Sequence, residues 1–383
     1  MKIEVTETYD SFLSMAEEWN GLLRKSKNNE ICQTHEWFKC WWDGYGSGKQ
    51  PFIISVRENR ELIAIAPLCT FDSTYRGVLK TRNVNSCLSG ISPHSDFICL
   101  PGREKEGITS IIEYLLENKF LWNVGSFERI PLDSVNWDTL CAALEEKAAR
   151  FRIIKSMDSP FITVRGDWKV FYGSRSKKFR KAMRNRLNRC EGEGRFEISK
   201  FEDSNEIEQL WPAICEISSN SWKNARGKSI PRDEKQTTFY KEMNRICGER
   251  GWIRIWILKM NGRYIAFEYH MIYEGKVFVL RADFDEAYKA LSPGAVLEYN
   301  IIKWHFEKQD IREYDFCADD YLYLSNWTAE KRSHGSIRFF NARALSRILG
   351  LTECNLVPFA KKAHGFLTPF SRAQKAASVR TDS

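Results

Sequence analysis

Val277-Phe278-Val279-Leu280-Arg281-Ala282-Asp283 is followed directly by Phe284-Asp285-Glu286-Ala287-Tyr288-Lys289-Ala290, then by Leu291-Ser292-Pro293-Gly294-Ala295-Val296-Leu297-Glu298-Tyr299-Asn300-Ile301-Ile302-Lys303. The first piece reads as a strand, the second as a polar connection and the third as a helix. Ser292 is placed to cap that helix, and Pro293 suits its first turn. Gly294 lets a ligand approach the backbone closely. The free amides of a first helical turn bind phosphate oxygens, aided by the helix dipole. A strand feeding such a helix start is the element from which the rest of the fold is read.

Upstream, strand 252–260 ends at Asn261-Gly262, a strong hairpin signal between apolar runs. Strand 263–273 follows, then a turn at Glu274-Gly275 and strand 276–283. Helices over 203–222 and 233–249 precede this meander, and helix 294–308 and strand 312–317 follow it. The first half reads as a looser version of the same plan. It has an amphipathic helix within 7–23 and a helix capped by Thr34 that carries Trp37, Phe38, Trp41 and Trp42. Hairpin strands 51–57 and 61–69 meet at Glu58-Asn59-Arg60. Strand 95–100, helix 105–118, strand 121–130, helix 136–150 and strand 151–155 come next. Segment 161–170 reads as extended and 174–190 as helical, ending at Glu191-Gly192-Glu193-Gly194. The fold class is α+β (mixed α/β), in two tandem units. The expected division is 1–158, 159–345, and a C-terminal arm with a mobile tip over 346–383. No direct sequence repeat relates the units.

The 383-residue chain is long enough for two to three domains with real cores. It is 43% hydrophobic and 13% aromatic, which excludes wide disorder. A net charge of +8 favours anionic partners without choosing among them. Eleven cysteines lack paired spacing, so neither a disulfide scaffold nor a structural zinc site is expected, and no metal. A reducing cytoplasm is the simplest compartment. The acidic N-terminus reads as no signal peptide, and no apolar run reaches spanning length.

Proton-transfer chemistry needs a carboxylate or imidazole held on a shared face. Alternation in strand 263–273 puts Glu268 and His270 on one face, and either is a candidate base. Asp283 and Asp315 are candidates for orienting an amine or holding a water chain; the alternative is strand-end caps or ion pairs. Eight Lys/Arg and no acid lie within 171–190, among them Lys177, Arg180 and Arg184 on one face. This helix is either a phosphate-binding surface or a solvated linker. The tryptophan cluster at 37–42 is either core or cleft lining.

Five features resemble a known family. They are Gln33-Thr34-His35-Glu36-Trp37 with Trp41-Trp42, the basic run Lys177 to Leu187, and Asn261-Gly262-Arg263-Tyr264-Ile265-Ala266-Phe267. The others are Ser292-Pro293-Gly294, and Asp315-Phe316 with Tyr323 and Trp327. Their order resembles the CelD/BcsL-type acetyltransferases of the GCN5-related N-acetyltransferase (GNAT) superfamily, which are similar to FemAB-type aminoacyltransferases. The resemblance implies tandem GNAT-like units, each a twisted, mostly antiparallel sheet flanked by helices. It implies acetyl-CoA or a longer acyl-CoA as cosubstrate, bound at Leu291, Ser292, Pro293, Gly294 and Ala295 with Arg180 and Arg184. By analogy with the superfamily's tyrosine acid, Tyr288 and Tyr323 are candidates for protonating the thiolate. The implied acceptor is an amine of an amino-sugar, amino acid or peptide, in polysaccharide biosynthesis. The alternatives are a FemAB-like transfer from aminoacyl-tRNA and a non-catalytic scaffold; DNA is not an expected partner, and membrane contact is at most peripheral. Where the family closes with Gly and Lys, this chain has Asp319 and Leu324.

Overall fold

The computed structural model describes residues 1–75, 77–88 and 92–356. The first half runs β1 (Lys2–Thr6), α1 (Tyr9–Leu13), α2 (Ala16–Lys25), α3 (His35–Tyr45), β2 (Gln50–Glu58), β3 (Glu61–Tyr75), β4 (Leu79–Ser86), β5 (Ile98–Cys99), α4 (Glu104–Glu117), β6 (Val124–Pro131), α5 (Val135–Glu146) and β7 (Arg150–Thr163). The second half runs α6 (Trp168–Gly173), α7 (Lys177–Glu193), β8 (Phe196–Phe201), α8 (Ser204–Ser219), α9 (Glu234–Gly248), β9 (Ile253–Met260), β10 (Arg263–Tyr273), β11 (Lys276–Phe284), α10 (Pro293–Lys308), β12 (Glu313–Asp315), β13 (Lys331–Phe340) and α11 (Ala344–Leu351). The expected arm and mobile tip over 346–383 begins within α11, and residues 357–383 of it lie outside the described part.

All the strands belong to one sheet, ordered β1-β2-β3-β4-β6-β13-β7-β12-β11-β10-β9-β8, with β5 on β3. Pairing is antiparallel except at β4–β6 and β11–β12. Each half therefore carries the same device: an antiparallel three-strand meander, a helix, and a strand returning parallel to the meander's last strand. This is a mixed α/β fold of tandem units around a mostly antiparallel sheet, with helices on its faces. Strand β7 joins the halves, because residues 150–160 pair with β13 and 161–163 with β12.

The hairpin chemistry behaves as the residues dictate. Asn261 and Gly262 take φ of 49° and 82°, and Glu274 and Gly275 take 46° and 68°. These are the left-handed pairs that match strand twist in a two-residue turn. Asn59 and Arg60 do the same at 48° and 74°. The strand expected over 95–100 shrinks to Ile98–Cys99, the extended segment 161–170 shortens, and β4 and β13 stand where no strand was expected. Segment 161–170 is extended only to Thr163, and Trp168 opens α6, capped by Asp167. Strand β4 and strand β13 carry charged and polar residues through much of their length, so no apolar run betrays them.

One core lies between α4, α5 and the first half of the sheet. Another lies between α7, α10 and the second half. The third is shared: Trp19, Trp37, Phe38 and Trp41 pack with Ile214, Phe239, Tyr240 and Tyr269. The tryptophan cluster is thus core, on a helix that presses its Gly44 against α9, where an added Cβ would lie 2.7 Å from Lys235 O.

Candidate active site

Strands β11 and β12 run parallel only where Lys276, Val277 and Phe278 face Glu313, Tyr314 and Asp315. Beyond Phe278, β11 continues to Phe284 with no strand partner on that side among the described residues. The strands part, and the opening leads toward the start of α10. Opposite the Tyr269–His270 step of β10, β11 carries an extra residue, Leu280. Such bulges re-aim side chains.

At the start of α10, Ser292 has φ +55° and makes no side-chain capping bond. The expected cap is therefore absent: the left-handed turn swings the hydroxyl off the helix axis. Val296 N bonds Ser292 O at 3.2 Å, so the amides not served by a capping side chain are those of Gly294 and Ala295. Around Gly294 a Cβ would meet only Phe284 Cδ1, at 3.6 Å. Internal packing does not require glycine there; the space above it is open to a ligand. Leu291 is buried, and Cys190 Sγ of α7 reaches Leu291 O at 3.6 Å. Arg189 of α7 donates to Ala290 O. Helix α7 packs through Phe179, Met183 and Cys190 and leaves Lys177, Lys178, Lys181 and Arg184 exposed. Arg180 is half-buried, and its Nε has no partner.

Beneath α10 lies a buried polar group. Glu268 Oε2 is 2.8 Å from His270 Nε2, and the Tyr314 hydroxyl donates to the same oxygen at 3.1 Å. Both residues, read as sharing a face, do so, but that face is interior: Glu268 is 3% exposed and His270 0%. Burial pushes the Glu268 carboxyl up to about 8. Burial, with the Arg254 charge, pushes His270 down to about 3. The imidazole is thus neutral at physiological pH and a poor proton acceptor, while the carboxyl is poised near it. Glu298 of α10 is the partner the sequence did not single out. Burial and the nearby Glu268 charge raise it to about 8, and Trp327 Nε1 donates to its Oε2 at 2.5 Å. Burial of both carboxyls, and for Glu298 the Glu268 charge, favour their protonated forms toward neutral pH. No local signal marks Glu298, Tyr314 or Trp327; they join the site through α10, β12 and the loop after it.

Tyr323 is exposed, with its ring stacked on Tyr321 at 6.1 Å. Partial burial and the Glu298 and Glu268 charges raise its pKa. Tyr288 is half-buried against the α10 core, in the turn before the helix. Asp283 and Asp315 are not brought to Glu268. Asp283 takes Arg281 Nε at 2.8 Å and Lys223 Nζ at 2.6 Å, and the same Arg281 binds Gln236 and Ser218 on the α8–α9 face. Asp315 accepts from Ser159 and Arg332, each at 2.9 Å, and from Cys317 N at 2.7 Å. It sits beside Phe278, on the face opposite Tyr314. Both aspartates are ion-pair anchors. Leu324 is fully buried in the α10 core and Asp319 is exposed.

The corresponding helix of the first half, α4, opens with Glu104 and Glu106. Carboxylates at that end of the dipole repel a phosphate.

A meander parting from its parallel neighbour in front of an uncapped helix is the arrangement of a GNAT-like fold. Residues 177–325 match the family model described as "Acetyltransferase (GNAT) domain". No match is found among curated proteins. Three solved structures share the fold at low identity. One, described as "Crystal structure of FemX", has TM-score 0.60 and 11% identity, over 91% of this chain and all of that one. A protein of unknown function from Bacteroides thetaiotaomicron VPI-5482 has TM-score 0.55 and 14% identity, over 89% of this chain and 100% of the other. A tandem GNAT protein from the clavulanic acid biosynthesis pathway has TM-score 0.50 and 9% identity, over 88% of this chain and 98% of the other. Among the described residues no helix is long and apolar enough to cross a membrane.

Proposed function

We propose that the protein is a cytoplasmic N-acyltransferase of the CelD/BcsL type, moving an acyl group from acetyl-CoA or a longer acyl-CoA to an amine of an amino-sugar, amino acid or peptide in polysaccharide biosynthesis. The observation that carries this reading is the open edge of β11 leading from buried Glu268 to the uncapped amides of Gly294 and Ala295. An extended chain bearing amides can pair with such an edge. Its pyrophosphate would meet the helix start, with Arg180 and Arg184 of α7 supplying positive charge. The cosubstrate supplies an activated thioester carbonyl. Glu268 takes the proton that the attacking nitrogen loses; burial raises its pKa and the hydrogen bond from Tyr314 opposes part of that rise. Nitrogen bonds to the carbonyl carbon, the carbon–sulfur bond breaks, and Tyr323 returns a proton to sulfur. The first half, 1–158, serves as one wall of the acceptor cleft and 159–345 carries the cofactor site.

A second reading, transfer from aminoacyl-tRNA, is favoured by the exposed cations of α7, which suit a phosphate backbone. Ligand protection separates the two. Thermal stabilisation by acetyl-CoA or a longer acyl-CoA is expected, about 2.7 kcal/mol at a free concentration of about 100 Kd. Stabilisation by charged tRNA alone would reject the acyl-CoA assignment.

A further inference from the structure

A second polar cluster is buried away from Glu268. Cys32 lies between α2 and α3, and its Sγ is 3.1 Å from His94 Nε2. Glu30 Oε2 lies 2.6 Å from that same nitrogen. The three donor atoms fall within 4.8 Å of one another. Cys32 and His94 are 2% and 4% exposed.

A thiol–imidazole–carboxylate relay does not explain this arrangement. In such a relay the thiol and the carboxylate hold opposite ring nitrogens. Here both converge on Nε2, which carries at most one proton and cannot serve both. Glu30 Oε2 is buried and has no properly directed hydrogen bond. Three donor atoms therefore converge on one locus, and the single ring nitrogen there cannot pair properly with both the thiol and the carboxylate.

We propose that Glu30, Cys32 and His94 bind a divalent transition-metal ion of the zinc class. One sulfur, one nitrogen and one oxygen are the donor set such an ion takes, at about 2.3, 2.0 and 2.1 Å respectively. Tetrahedral ligands at those lengths stand about 3.5 Å apart, so the two contacts to Nε2 need to open by less than about 1 Å. Three protein ligands leave a fourth position for water or another donor. The surroundings hold the ligands in place, as outer-shell partners do in metal sites. Lys276 Nζ engages the other Glu30 oxygen, Oε1, at 2.5 Å, and Oε2 stays turned toward His94. Trp19 Nε1 donates to Gln33 O at 2.8 Å, and Thr34 Oγ1 donates to Ile31 O at 2.8 Å, fixing the segment that bears Cys32. Ser95 N bonds Arg129 O at 3.3 Å beside His94. The spacing concealed the site from sequence reading, since Cys32 and His94 are 62 residues apart.

The test uses the full chain, dialysed against a chelator and titrated with Co²⁺ and then Zn²⁺. Expected are one ion per chain, a thiolate-to-cobalt charge-transfer absorption that Zn²⁺ abolishes, and a raised Tm. Cys32→Ser should remove the absorption, and Glu30→Gln or His94→Ala should weaken binding by about tenfold or more. Cys317→Ser, at a nearby half-buried thiol outside the set, should leave it intact. Wild-type chain that takes up no stoichiometric ion would overturn the proposal, whether or not the variants fold. So would an absorption that survives Cys32→Ser or vanishes in Cys317→Ser.

Discussion

Glu268 shows how burial turns an ordinary residue into a chemical one. Its position was legible from alternation in β10, because period-two order alone puts it on the face with His270. Its environment was not legible, since that comes from α10 and β12. With a neutral His270 beside it, Glu268 is the proposed proton acceptor of the pair. Glu268→Gln is expected to lower kcat by about 10²- to 10⁴-fold with little change in KM for the acyl donor. Wild-type kcat/KM should rise with pH through about 8, the value to which burial raises the carboxyl. Equal kcat in the variant would remove Glu268 from the chemistry. The same shift bears on stability. The folded pKa lies above the unfolded value near 4.3, so the contribution is complete below about pH 4.3 and is lost as pH rises through about 8. Denaturant midpoints at pH ~5 and ~9 should fall more for wild type than for Glu268→Gln.

At the scale of elements, strong local chemistry was readable and tertiary pairing was not. The Asn-Gly hairpin, the β9–β11 meander and α10 follow from turn residues and apolar runs. Strand β13 does not, because Lys331-Arg332-Ser333-His334 has little strand character until β6 and β7 flank it. The helix start is a mixed case. Ser-Pro-Gly announces a helix, but the left-handed Ser292 that leaves it uncapped depends on the preceding turn. Gly294→Ala distinguishes a packing role from a binding one. With Phe284 Cδ1 at 3.6 Å the new methyl fits, and stability should hold or rise by up to ~1 kcal/mol. Affinity for acyl-CoA should drop roughly tenfold, about 1.4 kcal/mol. Equilibrium unfolding and calorimetric titration on one preparation read both; unchanged affinity would move the phosphate site elsewhere.

For the whole molecule, the sequence order of two tandem plans conceals an exchange of strands. Strand β13 follows the second half in the chain yet lies between β6 and β7 of the first. Its Ile337 and Phe339 sit in the first core, and the end of the Phe339 ring occupies the space where a Cβ on Gly125 would stand. In return β7 extends past β13 to pair with β12 of the second half. The core holding Trp37 and Phe239 is shared as well. A fragment ending at residue 158 therefore loses two core side chains, the partner of β6 along one edge, and half of the shared core. It is expected to remain unfolded alone, without near-ultraviolet circular dichroism or a cooperative denaturant transition. The full chain should unfold in one transition, with tryptophan fluorescence and far-ultraviolet signals coinciding. Co-expressing 1–158 with the remainder should restore the native signal, because the missing strand then arrives in trans. A cooperative transition in the isolated 1–158 fragment would show that the first half closes its sheet without β13, and that the exchange is not what binds the units together.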